Sequence, residues 1–286
     1  MKNTKIIYIL ISIFCVFAVI AGIYAQFIEK DNGSTSKAEE NNASSNTNSS
    51  IVDEANSQTE IKANFNNLFT NTINLGGYDT TGIQKLQKDE EIVYSTGDIK
   101  NSTDKYEIDM NIPLINIDND FAKTLNNTTQ TVFVNKANEI IADTESTVKT
   151  IYSIDFVAYV NDDILSLVIK STLKEGSSAQ RIMIQTYNFN LTTNTEVTLT
   201  DLATVKMLNR DEVNNRIKEV ATEANEEAQA LQAMGYSETY VRDLTSDIYS
   251  IDGANVYFLG PNKELYIVYP YGNNEFTSAM DIVLFE

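Results

Sequence analysis

The chain has no histidine and no tryptophan, and its single cysteine is Cys15. The missing histidine excludes Ser-His-Asp and Cys-His catalysis, together with the histidine-based zinc sites of hydrolases and deacetylases. A lone cysteine forms no disulfide within the chain and no thiolate metal cluster. Positive charge is scarce as well: 21 Lys and Arg stand against 40 Asp and Glu, a formal net charge of −19. Nucleic acid is held by neutralising phosphates with Lys and Arg, so this balance speaks against it as a partner. It also repels anionic lipid headgroups and wall polymers, and attracts a cationic protein or a cation. The plainer reading of the charge is solubility. Nothing in the sequence calls for a cofactor or a metal, and the chain is not expected to be an enzyme.

What the chain does contain is unevenly spread. Ile6 to Ala25 reads IIYILISIFCVFAVIAGIYA, 20 residues without a charge. As a helix rising about 1.5 Å per residue it spans the ~30 Å hydrocarbon core of a bilayer. Lys2 and Lys5 precede it, and Glu29, Lys30 and Asp31 follow. That bias puts the N-terminus in the cytoplasm and everything after the segment outside. Residues 1–25 are therefore read as a retained single-pass anchor in the cell membrane, touching lipid through 6–25. A cleaved signal peptide is the competing reading, although its apolar stretch is usually shorter, about 7–15 residues, and Ile23 would occupy a position that prefers a small side chain. So short a cytoplasmic stretch is expected to carry no signalling domain. Residues 26–58 follow as a polar stalk whose only large apolar residues between Asp31 and Gln58 are Ile51 and Val52. Such a segment cannot offset its ordering entropy and is expected to be disordered.

The folded candidate is 59–286, divided into an N-terminal part (59–150) and a C-terminal part (151–286). In the first part, Phe65, Leu68, Phe69, Thr72 and Leu75 recur at helical spacing. Glu91–Thr96 and Tyr106–Ile112 read as strands, the second stopping at Pro113. A long helix capped by Asp118 or Asn119 carries Phe121, Leu125, Val132, Val134, Ala137, Ile140 and Ile141 on one face, with a weak Thr-Thr-Gln-Thr centre. The period then changes. Thr150–Val160 and Ile164–Leu173 are strands joined through Asn161-Asp162-Asp163, a hairpin turn. Arg181–Leu191 is a third strand, and Thr193-Asn194 turns into Glu196–Leu199. Asp211–Met234 is a helix with Val213, Ile217, Val220, Ala221, Ala224, Ala228 and Leu231 as its buried stripe and Gly235 as its stop. Asn255–Leu259, Leu265–Tyr269 and Met280–Phe285 close the chain as strands. Short connections between consecutive strands imply an antiparallel sheet with packed helices, an α+β fold.

Three segments together resemble one bacterial family. They are Tyr187–Leu202 (Tyr-Asn-Phe-Asn-Leu, then Glu196, Thr198-Leu199 and Asp201-Leu202), the alternating strands before it, and the ending Val256–Leu259 with Leu265–Tyr271. Ile108–Pro113 before a long helix is similar to the companion segment that precedes them. The family is the domain of unknown function found in the ectodomain of the anti-sigma-V factor and in the N-terminal region of a peptidoglycan deacetylase. The resemblance implies a wall-facing module, with lysozyme or another basic wall hydrolase as the expected kind of partner. The chain departs from the family after Tyr269-Pro270-Tyr271. Gly272-Asn273-Asn274-Glu275-Phe276 stands where members often carry an acidic residue and a second tyrosine.

The candidate ligand-binding residues are Tyr266, Tyr269, Tyr271 and Phe276, an aromatic surface for sugar or protein. The competing reading packs these rings between sheet and helix, and on a strand Tyr266 must face away from Tyr269. Carboxylate pairs at Asp118/Asp120, Asp162/Asp163 and Glu226/Glu227 leave a carboxylate-dependent peptidoglycan-active enzyme as the alternative function. A structural partner of another envelope protein is a further one. Asp118-Asn119-Asp120 opens like a calcium loop, but Lys123 and Thr129 stand where its glycine and closing glutamate belong.

Overall fold

The computed structural model describes residues 49–143, 145–236, 239–271 and 279–286. The anchor at 1–25, the stalk as far as residue 48, and Phe276 lie outside the described residues. Among the described residues no helix is long and apolar enough to cross a membrane. The chain divides into two units, Met1–Ala63 and Asn64–Glu286. Helix α1 (Ser49–Asn67) runs across the division. The last part of the segment read as stalk, 49–58, is therefore helical, and the helical spacing after Phe65 does not continue to Leu75. Asn71 takes a left-handed φ of 57° and turns the chain into a short strand, β1 (Thr72–Asn74).

The larger sheet has the order β2-β3-β4-β5-β6-β7. Its strands are β2 (Val93–Ser102), β3 (Tyr106–Ile115), β4 (Thr150–Asn161), β5 (Ile164–Glu175), β6 (Arg181–Asn190) and β7 (Thr195–Glu196). The expectation of a purely antiparallel sheet is corrected here. β3 and β1 both pair parallel to β4, so the sheet is mixed. The cause is the helical connection between β3 and β4, which returns the chain across the sheet as a parallel pair requires. β3 also runs through Pro113 instead of stopping before it. Pro113 sits opposite Ser95, where the ladder slips at a bulge and a missing N–H is tolerated. The hairpin between β4 and β5 forms as expected, with Asp162 at φ 55°.

The connection consists of α2 (Asp120–Thr129), a π-helical turn (Gln130–Val134) and α3 (Asn135–Ala142). Asn119 caps α2 by accepting from the Ala122 N–H at 2.7 Å. The weak Thr128–Thr131 centre is where the helix widens. Tyr152 donates to the Phe133 carbonyl at 3.3 Å, which ties β4 to this helical layer.

A second sheet has the order β10-β9-β8, built from β8 (Tyr257–Leu259), β9 (Leu265–Pro270) and β10 (Met280–Phe285). Three polar side chains of the larger sheet fasten its β8 end. Asn161 donates to the Gly260 carbonyl, Ser166 accepts from the Leu259 N–H, and Asn188 donates to the Tyr257 carbonyl. Between the sheets in sequence lie α4 (Leu199–Val205) and α5 (Arg210–Ala233). The expected strand at Glu196–Leu199 is replaced by β7 and the start of α4, because Thr198 and Asp201 form a capping box. Asn209 and Glu212 cap α5 in the same way, and Gly235 ends it at φ 93°. Val213, Ile217, Val220 and Ala221 of α5 pack into one core with Leu259, Leu265, Ile267, Tyr269 and Val283, and Ala228 is buried as well. Ala224 and Leu231, expected on the same stripe, are only half-buried.

Candidate functional site

The period of β9 separates the tyrosines that the sequence groups together. Tyr266 stacks on Phe258 at 4.8 Å and lies 6.2 Å from Phe65. Tyr269 and Tyr271 join the opposite cluster, facing α5. All three are buried, so among the described residues they are packing rings and do not form a shared recognition surface. The area each ring removes from water favours this outcome.

Tyr271 nevertheless leads to an arrangement that sequence reasoning missed. Asp281 of β10 is 1% exposed, and the Arg242 guanidinium grips it in a bidentate pair, Nε to Oδ2 at 3.0 Å and Nη2 to Oδ1 at 2.8 Å. Arg242 Nη1 donates to the carbonyls of Ala224 and Tyr240 at 2.7 and 2.6 Å. Its backbone N–H donates to the buried Asn225 side chain of α5 at 2.9 Å. Tyr271 donates to Asp281 Oδ2 at 2.6 Å and meets the Tyr249 hydroxyl at 2.8 Å. Tyr240 stacks on the Tyr271 ring with centroids 4.1 Å apart. Burial and the Asp281 carboxylate hold the Tyr271 phenol above its ordinary pKa, so it remains a donor. Burial pulls the Arg242 pKa down, but its contacts with Asp281 outweigh that and the net shift is upward. Among the described residues, the hydroxyls of Thr239 and Tyr269 are buried without a hydrogen-bond partner.

The network clamps the described residues of 234–256, which have no regular structure, back along α5. Ile251 N–H donates to Asn214, and Arg210 pairs with Asp252. Gly253 completes the fold-back, since a Cβ there would collide with the Asp247 carbonyl. Clamped in this way, the segment turns apolar side chains outward. Met234 is 74% and Tyr236 62% exposed, and Val241, Leu244 and Ile248 are also exposed. Arg242 is its one cation in sequence and is buried, so the charge at its surface is that of acidic residues such as Asp243 and Asp247. Irregular segments of this length inside a folded unit are commonly binding elements.

The carboxylate pairs are otherwise occupied or solvated. Lys123 reaches both Asp118 and Asp120, Lys263 pairs with Asp162, and Asn190 donates to Asp163. Glu226 and Glu227 stand exposed on α5. Among the described residues no group of three or more His, Cys, Asp or Glu side chains is placed to hold a metal ion.

No family model matches the chain, and no curated protein matches it. Solved structures do resemble it. One is a DUF3298 family protein from Pseudomonas aeruginosa PAO1, at 9% identity over 68% of this chain and 90% of that one, with a TM-score of 0.39. Another is a DUF3298 family member from Bacteroides fragilis NCTC 9343, at 12% identity over 73% and 92%, with a TM-score of 0.38. These structural neighbours are thus members of a domain family of unknown function.

Proposed function

We propose that the chain is a membrane-anchored extracytoplasmic recognition module facing the cell wall. In this reading the anchor and stalk hold the folded unit outside the membrane, and the clamped segment 234–256 receives a protein or wall-fragment ligand. The supporting observation is the exposed set of Val241, Leu244 and Ile248, held in place by a buried ion pair and interleaved with acidic groups. Apolar anchors among acidic neighbours fit a basic protein with an apolar surface of its own. Lysozyme and other basic wall hydrolases have that charge, and they are the partners implied by the resemblance to the anti-sigma-V ectodomain family.

The test is capture of lysozyme by the full chain in lipid nanodiscs. Binding is expected at low ionic strength and should weaken as salt screens the acidic groups. Absence of binding at low salt removes lysozyme as a partner. Binding that is indifferent to salt contradicts the electrostatic part of the reading.

A further inference from the structure

The methionines of the folded unit fall into two classes. Met110 of β3 and Met280 of β10 are buried in the sheets, whereas Met207 is 93% and Met234 74% exposed. Met183 of β6 lies between them at 48%. Both of the most exposed side chains sit where a helix stops, and neither thioether holds that stop together. After α4, the Met207 N–H donates to the Thr204 carbonyl and the Leu208 N–H to that of Ala203. After α5, the Gly235 N–H donates to the Gln232 carbonyl and the Tyr236 N–H to that of Leu231. Each pair of bonds is a Schellman stop, made by backbone alone. Met207 takes a left-handed φ of 57° at the position that favours glycine, so neither packing nor backbone preference accounts for a methionine there.

The chain has no histidine or tryptophan, and its one cysteine, Cys15, precedes the folded unit in sequence. Thioethers are therefore the side chains of that unit most open to peroxides. In the reaction a sulfur–oxygen bond forms as the peroxide O–O bond breaks. Sulfur gives up two electrons and becomes a sulfoxide, and hydrogen peroxide leaves as water. The product is polar where the thioether was apolar. Within the sheets that change would disrupt packing, and burial shields Met110 and Met280 from the oxidant. At the two stops it alters only the surface, because the capping bonds remain. The sites differ in what they adjoin. Met234 opens the clamped segment, two residues before the exposed Tyr236. Met207 lies beyond the other end of α5, whose 24 residues span about 36 Å.

We propose that Met234 is a reversible oxidation site whose sulfoxide weakens docking on the clamped segment, while Met207 takes up oxidant without that consequence. The docking half rests on the recognition reading above, and the oxidation half does not. The experiment treats the full chain in nanodiscs with graded hydrogen peroxide and follows each methionine by peptide mapping. Met207 and Met234 should oxidise first, on the order of tenfold faster than Met110 and Met280, with Met183 between. Buried methionines that oxidise as fast as Met234 overturn the proposal. So does loss of near-ultraviolet circular dichroism while only the two stops carry oxygen. Peroxide is then removed and lysozyme capture measured. Capture should fall about threefold and recover after treatment with methionine sulfoxide reductases of both epimer specificities and a dithiol, itself removed beforehand. Met234→Leu keeps an apolar side chain that peroxide cannot oxidise and should abolish the fall, whereas Met207→Leu should not. Unchanged capture by the oxidised chain overturns the proposal, as does a fall that persists in Met234→Leu. If the untreated chain captures no lysozyme, the recognition reading and the docking half fall together, and the mapping alone decides the oxidation half.

Discussion

Two segments whose described residues are irregular, 75–92 and 234–256, are each held through a buried polar side chain, and the two side chains differ in chemistry. Asn116, 1% exposed just beyond β3, donates to the carbonyls of Gln87, Glu90 and Glu91 and accepts from the Gln87 N–H. A neutral amide satisfied by backbone groups has a small desolvation cost and needs no counter-charge. The 234–256 segment is held by a guanidinium whose counter-charge, Asp281, arrives from β10, 39 residues later in the chain. A buried charge tolerates no half-measures, because either partner left alone is strongly unfavourable. The first segment therefore depends on neutral backbone groups meeting one amide beyond β3, while the second depends on a counter-charge brought by the C-terminal sheet.

The largest effect is expected at the charged clamp. Arg242→Ala should cost about 3–5 kcal/mol in chemical denaturation and expose 234–256 to limited proteolysis, because Asp281 stays buried without its partner. The double change Arg242→Met/Asp281→Leu should recover much of that loss. A double variant as unstable as the single one would show that the pair's geometry, and not the stranded charge, sets the cost. Asn116→Ala should cost less, about 1–3 kcal/mol, with new proteolytic cleavage confined to 75–92.

Alkaline pH separates the two segments without mutation. Burial raises the folded-state pKa of Tyr269 and Tyr271, at the clamp, above the ordinary tyrosine value. A raised pKa leaves stability intact below the unfolded value near 10 and removes it progressively above that, as the unfolded chain ionises first. Each should cost about 1 kcal/mol at pH 11, read from tyrosinate absorbance alongside unfolding. Cleavage within 234–256 should then precede cleavage within 75–92. The smallest effect is expected at the exposed pair Arg216–Glu219 on α5, where Arg216→Ala should change stability by less than about 1 kcal/mol.

Local pattern carried α5, the β4–β5 hairpin and the closing strand almost to their ends, since period and turn chemistry decide those elements. It also separated Tyr266 from Tyr269, because a strand alternates. It could not show the parallel pairing of β3 with β4, which depends on where the connecting helices return the chain. Helix α4 was legible in principle, as Thr198 and Asp201 have capping-box spacing, but the β-rich residues before them drew the strand reading onward. The Arg242–Asp281 pair left one signal. Asp281 is a lone carboxylate in Met280–Phe285, an otherwise apolar strand, and a charge there needs a buried partner. Which cation supplies it is a question of tertiary contact that spacing alone does not answer.

The central claim is that the clamp exists to present Leu244 and Ile248 to a basic partner. It is tested most directly by the affinity of the full chain in nanodiscs for lysozyme, with and without Leu244→Ser/Ile248→Ser. The account predicts at least a tenfold loss of affinity with the folded state retained, because Leu244 and Ile248 are 41% and 38% exposed and lie outside the buried core. An unchanged affinity in the double variant would contradict it.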